Sequence, residues 1–368
     1  GGVFGYMSGT LTNVDSVGSV TVTSSNSNVG GLIGDAGAST ITTASVTGAV
    51  TASASSSVGG LLGTYSSGTL TSVSATGGDI SGTSSVGGLI GYTGSTITIN
   101  GASATGNVTG TSSYVGGLVG YMYSTGTLSN VYATGNVQGT TGVGGLVGYM
   151  DWGYARTINQ NSYASGTVRG TGTGTGSVGG LVGYAYGDIN IYSSSYRGTS
   201  VWSDGSDVGG LVGNSPSGYT VNIRNSYVDT QGGLGVKGTY RVGGMVGSYY
   251  YTLNIASDGT NTSLYGAALA PYSTANVTGT TAVSATAYVG GLVGYASTYV
   301  YGYMSIDSAR VTGSTVTGVG NYVGGMVGGT GTIYTTNITN SYVNGTTISG
   351  TGASSYVAGL VGNSYSSL

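Results

Sequence analysis

One six-residue phrase constrains this chain more than any other feature. It reads VGGLIG at 29–34, VGGLLG at 58–63, VGGLVG at 115–120 and 143–148, and VGGMVG at 242–247. Counted from its first glycine it starts at Gly1, Gly30, Gly59, Gly87, Gly116, Gly144, Gly179, Gly209, Gly243, Gly290 and Gly324, and once more at Ala358 as AGLVG. The intervals are 29, 29, 28, 29, 28, 35, 30, 34, 47, 34 and 34 residues. So regular a period outweighs the two or three domains that 368 residues would otherwise suggest, and predicts a single tandem-repeat domain over 1–368.

Two further phrases keep a fixed phase inside each unit. One is TLTNV at 10–14, returning as TITTA at 40–44, TLTSV at 69–73, TITIN at 96–100 and TLSNV at 127–131. The other is VYATGNV at 131–137, matched by ASATGNV at 102–108 and SYASGTV at 162–168. Each is short, rich in β-branched residues or tyrosine, and bounded by glycine or serine, which is how strands with tight corners are written. No stretch has the apolar spacing of an amphipathic helix. The expectation is an all-β fold: a β-solenoid (parallel β-helix) of about eleven rungs, with roughly three short strands in each rung of 28–35 residues and one longer rung at 243–289. A β-propeller is the competing repeat architecture, but its blades need ~40–50 residues.

The phrase has a physical reading in a parallel stack, where each residue sits on its own counterpart. Kept extended, Val115, Gly117 and Val119 share one face and Gly116, Leu118 and Gly120 the other, so both faces must be covered. Alternatively the Gly-Gly pair bends the chain and sends leucine and valine into one core. In either case glycine admits close backbone approach or a positive φ.

Composition removes whole classes of function. Cysteine, histidine and glutamate are absent, which excludes thiol nucleophiles, disulfides, histidine bases and Cys/His zinc sites. Seven basic and ten acidic residues give a net charge of −3 with no basic run, so nucleic acid is not an expected partner. No apolar stretch approaches the ~18–20 residues of a membrane-spanning helix. The opening GGVFGYMSGT has neither an initiator Met nor a charged-then-apolar signal, which suggests a mature product or the ordered part of a longer chain.

The pairing of VYATGNV with VGGLVGY at this spacing resembles the GLUG-motif repeats of large bacterial surface proteins, from Gly1 to Gly362. The resemblance implies an extracellular or cell-surface protein of adhesin or stalk type. It carries over no catalytic residue. The 47-residue unit at 243–289 departs from the common pattern.

Carboxylates are the remaining catalytic option. Asp204 and Asp207 in WSDGSDVGG are close in sequence, but they read as turn chemistry and as too poor a set for a calcium site. No enzyme, cofactor or metal is expected. The 32 tyrosines against one Phe are a stronger bias. Tyr92, Tyr121, Tyr149, Tyr184 and Tyr295 follow the phrase, and Tyr114, Tyr240, Tyr288, Tyr322 and Tyr356 precede it. They should form a corner ladder that covers the glycine columns, or a contact surface for another subunit or a glycan. Tyr249, Tyr250 and Tyr251, in the long unit, extend that candidate surface. Threonines 10, 40, 69, 96 and 127 form a column like those of ice-binding surfaces, yet it blurs after Thr157 and threonine is simply a good strand residue. Sequons at Asn107, Asn261, Asn276, Asn337 and Asn344 are candidate glycosylation sites.

Neither end shows a helix, charged cover or polar cap. The chain starts inside one phrase and stops just after another, so the end rungs should bare apolar core and strand edges. Assembly is expected at Gly1, Gly2, Val3 and Phe4 and at Val357, Leu360 and Val361, with a second copy or a longer parent chain as partner. A structural fibre or stalk is the function expected, with an adhesin segment that binds a glycan or host protein as the alternative.

Overall fold

The computed structural model describes residues 1–368 except 26–27, 152, 175, 217, 231, 258–269, 281–286, 298–301, 320–321, 334, 352–354 and 366–368. Among the described residues there is no helix. Every strand pairs in parallel with its counterpart one rung away, and the result is a β-solenoid of about eleven turns.

One rung shows the plan. Val115–Gly116 belongs to the first face, and Val119–Met122, Gly126–Ser129 and Tyr132–Ala133 lie along a wide second face. Val137–Gly139 forms the third face before Val143–Gly144 opens the next rung. Stacking is in register: Val115 pairs with Val86 and Val143, Thr127 with Thr98 and Thr157, and Val137 with Val108 and Val168. The first and third faces are sheets of 11 strands each, and the wide face is one sheet of 28. Eleven strand spacings give a rod of roughly 50 Å.

Three sheets per rung match the three strands expected, with a refinement. In the first rungs the wide face is one long strand, at Phe4–Val17, Ile33–Thr47 and Leu62–Thr76. From Ile90 onward corners divide it into three segments. One corner is set by a residue in the left-handed region, at Asn13, Thr43, Ser72, Gly101, Asn130, Asn161, Ser193, Asn225, Ser308 and Asn340, with φ between 47° and 67°. Glycine and asparagine tolerate that conformation best, and Thr43, Ser72, Ser193 and Ser308 adopt it at the same corner.

The repeated phrase bends. Its chain turns at Gly117–Leu118, and Val115, Leu118 and Val119 enter one core at 0% exposure. All six residues from Val115 to Gly120 are buried, so the outer side is covered as well. Glycine serves close approach here, not positive φ. A Cβ on Gly116 would lie 2.0 Å from the Val119 carbonyl oxygen, and one on Gly117 would lie 2.1 Å from that of Gly145 in the next rung. On Gly120 it would meet the Val86 nitrogen of the previous rung at 2.6 Å. Backbone therefore fills all three side-chain positions. The buried side chains form one continuous hydrophobic cluster along the rod.

The largest polar side chains in this core are tied to backbone at Tyr65, Tyr196 and Arg156, whereas the Tyr249 hydroxyl is buried without a hydrogen bond among the described residues. Tyr65 donates to the Ser39 carbonyl (2.6 Å) and Tyr196 to the Ser200 carbonyl (2.6 Å). Arg156 is buried where Ile97 and Ile189 stand in other rungs, above the small Gly126. Its guanidinium donates to the carbonyls of Ser124 (3.0 Å), Tyr123 (2.8 Å) and Tyr154 (2.8 Å), and also to those of Met122 and Asp151. Burial draws its pKa down to about 10. The side chain thus ties a corner loop to the rung beneath.

Candidate functional site

Register assembles the tyrosines that flank the phrase into ladders at one edge of the rod. Tyr92, Tyr121, Tyr149 and Tyr184 stack on successive rungs with ring centroids 5.2, 5.0 and 5.3 Å apart. Tyr114, on the other side of the bend, leans on Tyr121 and Tyr149 at 5.2 and 4.6 Å. A second set continues farther along: Tyr288, Tyr322 and Tyr356 stack at 5.3 Å intervals, and Tyr295 lies 4.4 Å from Tyr288. Tyr121 donates to the Asp151 carboxylate at 2.5 Å. Burial, then that bond, raises the Tyr121 hydroxyl well above the usual phenol range.

The ladders do not lie on the phrase's glycine columns, which backbone fills, but on two glycines that stand in the tyrosine columns themselves. A Cβ on Gly142 would lie 3.1 Å from the Tyr114 ring, and one on Gly329 would lie 2.4 Å from the Tyr288 ring. At Gly142 the edge column skips a side chain, and a shallow cleft of about 270 Å³ opens between Tyr114, Thr141, Gly142, Tyr149 and Tyr184.

Between the two ladders the tyrosines give way to an ion pair. Asp207 and Arg241 occupy the column that holds Tyr288 and Tyr322 beyond. Arg241 Nε is 2.5 Å from Asp207 Oδ1, Nη2 donates to Oδ2 at 2.9 Å, and Asn214 donates to Oδ2 at 3.1 Å. Tyr240 and Tyr250 lie against the guanidinium, with centroids 5.1 and 5.4 Å away. Burial pushes the Asp207 carboxyl up to about 6 despite the opposing pull of Arg241. Asp204 is exposed, whereas Asp207 is buried and committed to Arg241, so the two do not make a carboxylate pair.

A third ladder escaped the sequence reading. Tyr132 stacks on Tyr163 (5.3 Å) and Tyr227 on Tyr272 (4.8 Å). Serine 195 interrupts the row, and Arg197 reaches into the gap, lying 4.8 Å from the Tyr163 ring and 5.4 Å from that of Tyr227. Arg310 lies over Tyr272 at 5.0 Å. The signal was the tyrosine in VYATGNV and SYASGTV, which keeps one phase.

Some expected site residues stand elsewhere. Tyr249 is not a surface residue. Strand alternation places Ser248 in the column of Asn214 and Tyr295, where it is buried too, and turns Tyr249 into the core at 0% exposure, above the small Ser215. Tyr250 and Tyr251 are half-buried. The threonine column runs through Thr98, not Thr96, and passes to Asn190, Asn222 and Asn254 after Thr157. Those asparagines bond amide to amide at 2.9 and 2.8 Å. Of the sequons, Asn107 uses its amide on Asp79 and Asn136, and Asn276 accepts from Thr315. Asn337 and Asn344 are exposed, and Asn261 lies outside the described residues.

At the two ends the buried columns stand open. Val3 and Leu360 occupy the phrase's leucine position, which is fully buried in Leu32, Leu61 and Met326, yet they are 46% and 45% exposed. Gly1 and Gly2 are exposed, Phe4 and Val361 half-buried, and Val357 is 46% exposed. Among the described residues no helix is long and apolar enough to cross a membrane, and no acidic cluster could hold a metal ion.

Comparison with known families identifies the GLUG motif at residues 111–138, the unit that holds both VGGLVGY and VYATGNV. No curated protein and no solved structure matches the chain. The chain thus carries a GLUG motif within a β-solenoid.

Proposed function

We propose that the chain is a non-catalytic structural rod, a subunit or segment of an extracellular fibre or cell-surface stalk that extends by parallel pairing of its end rungs. The observation that supports this is the sameness of every rung interface. In the first-face column valine meets valine from Val29 to Val357, and glycine meets glycine until Ala358 faces Gly324; at the outermost described rungs the leucine-position residues Val3 and Leu360 are 46% and 45% exposed. A rung that stacks on its neighbours inside the chain offers the same surface to a rung of another copy. Parallel pairing fixes the polarity, so copies add head to tail. The test places a charge in each open column. Val3→Asp with Leu360→Asp should keep the rod folded and abolish fibres; fibres that persist would remove end pairing as the cause.

One observation favours a second reading, that of an adhesin segment. The cleft at Gly142 is walled by Tyr114, Tyr149 and Tyr184, a setting suited to a sugar-sized ring. Binding to a glycan array should fall in Tyr114→Ala and Tyr184→Ala if the cleft is the site. Unchanged binding in both would exclude it.

A further inference from the structure

The outward column of the third face is written in hydroxyls along most of the rod. Thr51, Ser81 and Thr109 occupy it on one side and Thr278, Thr317 and Ser349 on the other. Between them four successive rungs carry Gln138, Arg169, Trp202 and Lys237. Two of the seven basic residues and one of the two tryptophans are therefore side by side, at positions where the fold asks only for a strand residue.

Among the described residues the chemistry of this column is only partly satisfied. The Arg169 guanidinium lies 4.4 Å from the Trp202 ring, its Nη1 reaches the Gln138 side-chain oxygen only at 3.5 Å, and its Nε is buried without a partner. Among the described residues the ion pair in evidence is Asp207–Arg241, so neither Arg169 nor Lys237 is matched to an acid. Lys237 stands one rung beyond Trp202, which puts the two cations about 10 Å apart along the rod axis at strand spacing.

We infer that Gln138, Arg169, Trp202 and Lys237 form a binding surface for a carboxylate-bearing polysaccharide that runs along the rod. The terminal nitrogens of the Arg169 guanidinium can donate to a planar carboxylate, the Lys237 ammonium supplies a second point charge, and the half-buried indole offers a sugar ring the apolar surface that Arg169 does not cover. A polymer with a carboxylate on its sugar units presents both features at regular intervals. The chain as a whole carries a net charge of −3, so a polyanion gains nothing from the rod's overall field and depends on this local patch. The surface is independent of end-to-end assembly, because it lies on the side of rungs within the rod.

The test is affinity electrophoresis and calorimetry with polygalacturonate as probe, and with dextran, double-stranded DNA and anionic phosphatidylglycerol vesicles as comparators. It uses the full chain carrying Val3→Asp and Leu360→Asp, so that fibre formation and binding are read separately. Polygalacturonate should bind, more weakly as salt rises, and dextran should not. Arg169→Gln with Lys237→Gln should weaken binding by about tenfold or more. Lys237→Gln alone changes a half-buried side chain, and thermal melts confirm that it and the double variant are folded. No binding of polygalacturonate, or undiminished binding in folded variants, would overturn the inference. DNA or vesicles bound as tightly as polygalacturonate would overturn it too, since charge alone would then suffice.

Discussion

A single methyl group tests the account at the scale of the residue. On Gly117 it would sit 2.1 Å from a carbonyl oxygen of the next rung and 2.9 Å from the Ala133 methyl. Gly117→Ala should therefore cost more than ~2 kcal/mol in denaturant melts, because two rungs must part to admit it. Gly174→Ala, where no atom lies within 4 Å of the added carbon, should stay within ~0.5 kcal/mol. Equal effects would mean that glycine is not kept for close approach. Asp207 gives a prediction with a sign. Its folded pKa is about 6, against ~3.9 in an unfolded chain. Between those values the folded form still holds a proton that the unfolded form has released. This group's contribution to stability is thus fully present below pH ~4 and declines as pH rises to ~6, by on the order of 2–3 kcal/mol. The stability gap between wild type and Asp207→Asn, followed from pH 4 to 7, should change across that window; a gap that stays flat would contradict the assignment.

At the scale of the element, the corners decide what the strands only suggest. Arg156 holds a corner by donating to five carbonyls, so Arg156→Met, similar in length but without donors, should destabilise by ~3 kcal/mol or more. A chemical-denaturation loss under 1 kcal/mol would mean that the carbonyls find other partners. The strands and their parallel order were legible, because each phrase repeats its own spacing and leaves only one register that puts valine on valine. Whether the phrase bends or stays extended was left open by its alternation, and the chain turns at Gly117–Leu118 with both sides covered. Two placements were not legible. The match of TITIN to TLTNV by its first threonine put Thr96 in a column that belongs to Thr98, since register follows the left-handed corner, Asn13 in one rung and Gly101 in another. The run YYYT has no internal phase, so nothing in it marks Tyr249 as the inward residue; the mark is Ser215 one rung below, small enough to leave room. The Asp207–Arg241 pair was written in DVGG and RVGG, at one position of consecutive units. It was missed because a spacing of 34 residues looks remote until the rungs are stacked.

For the whole molecule, low charge and sameness have one consequence. The core columns repeat from rung to rung, and the leucine-position residues of the outermost described rungs, Val3 and Leu360, are half-exposed, so they offer the kind of apolar surface on which rungs pair elsewhere in the rod. Tyrosine ladders, arginines laid over rings and asparagine rows all run along the axis, so they hold neighbouring rungs together and could do the same across a junction between copies. The central claim is that rungs pair between copies as they pair within one. Electron microscopy of the purified chain over a range of concentrations tests it most directly. The account predicts polar filaments that lengthen with concentration, with a ~4.8 Å strand repeat along the axis that continues unbroken through each junction. Separate rods of roughly 50 Å at every concentration would contradict it.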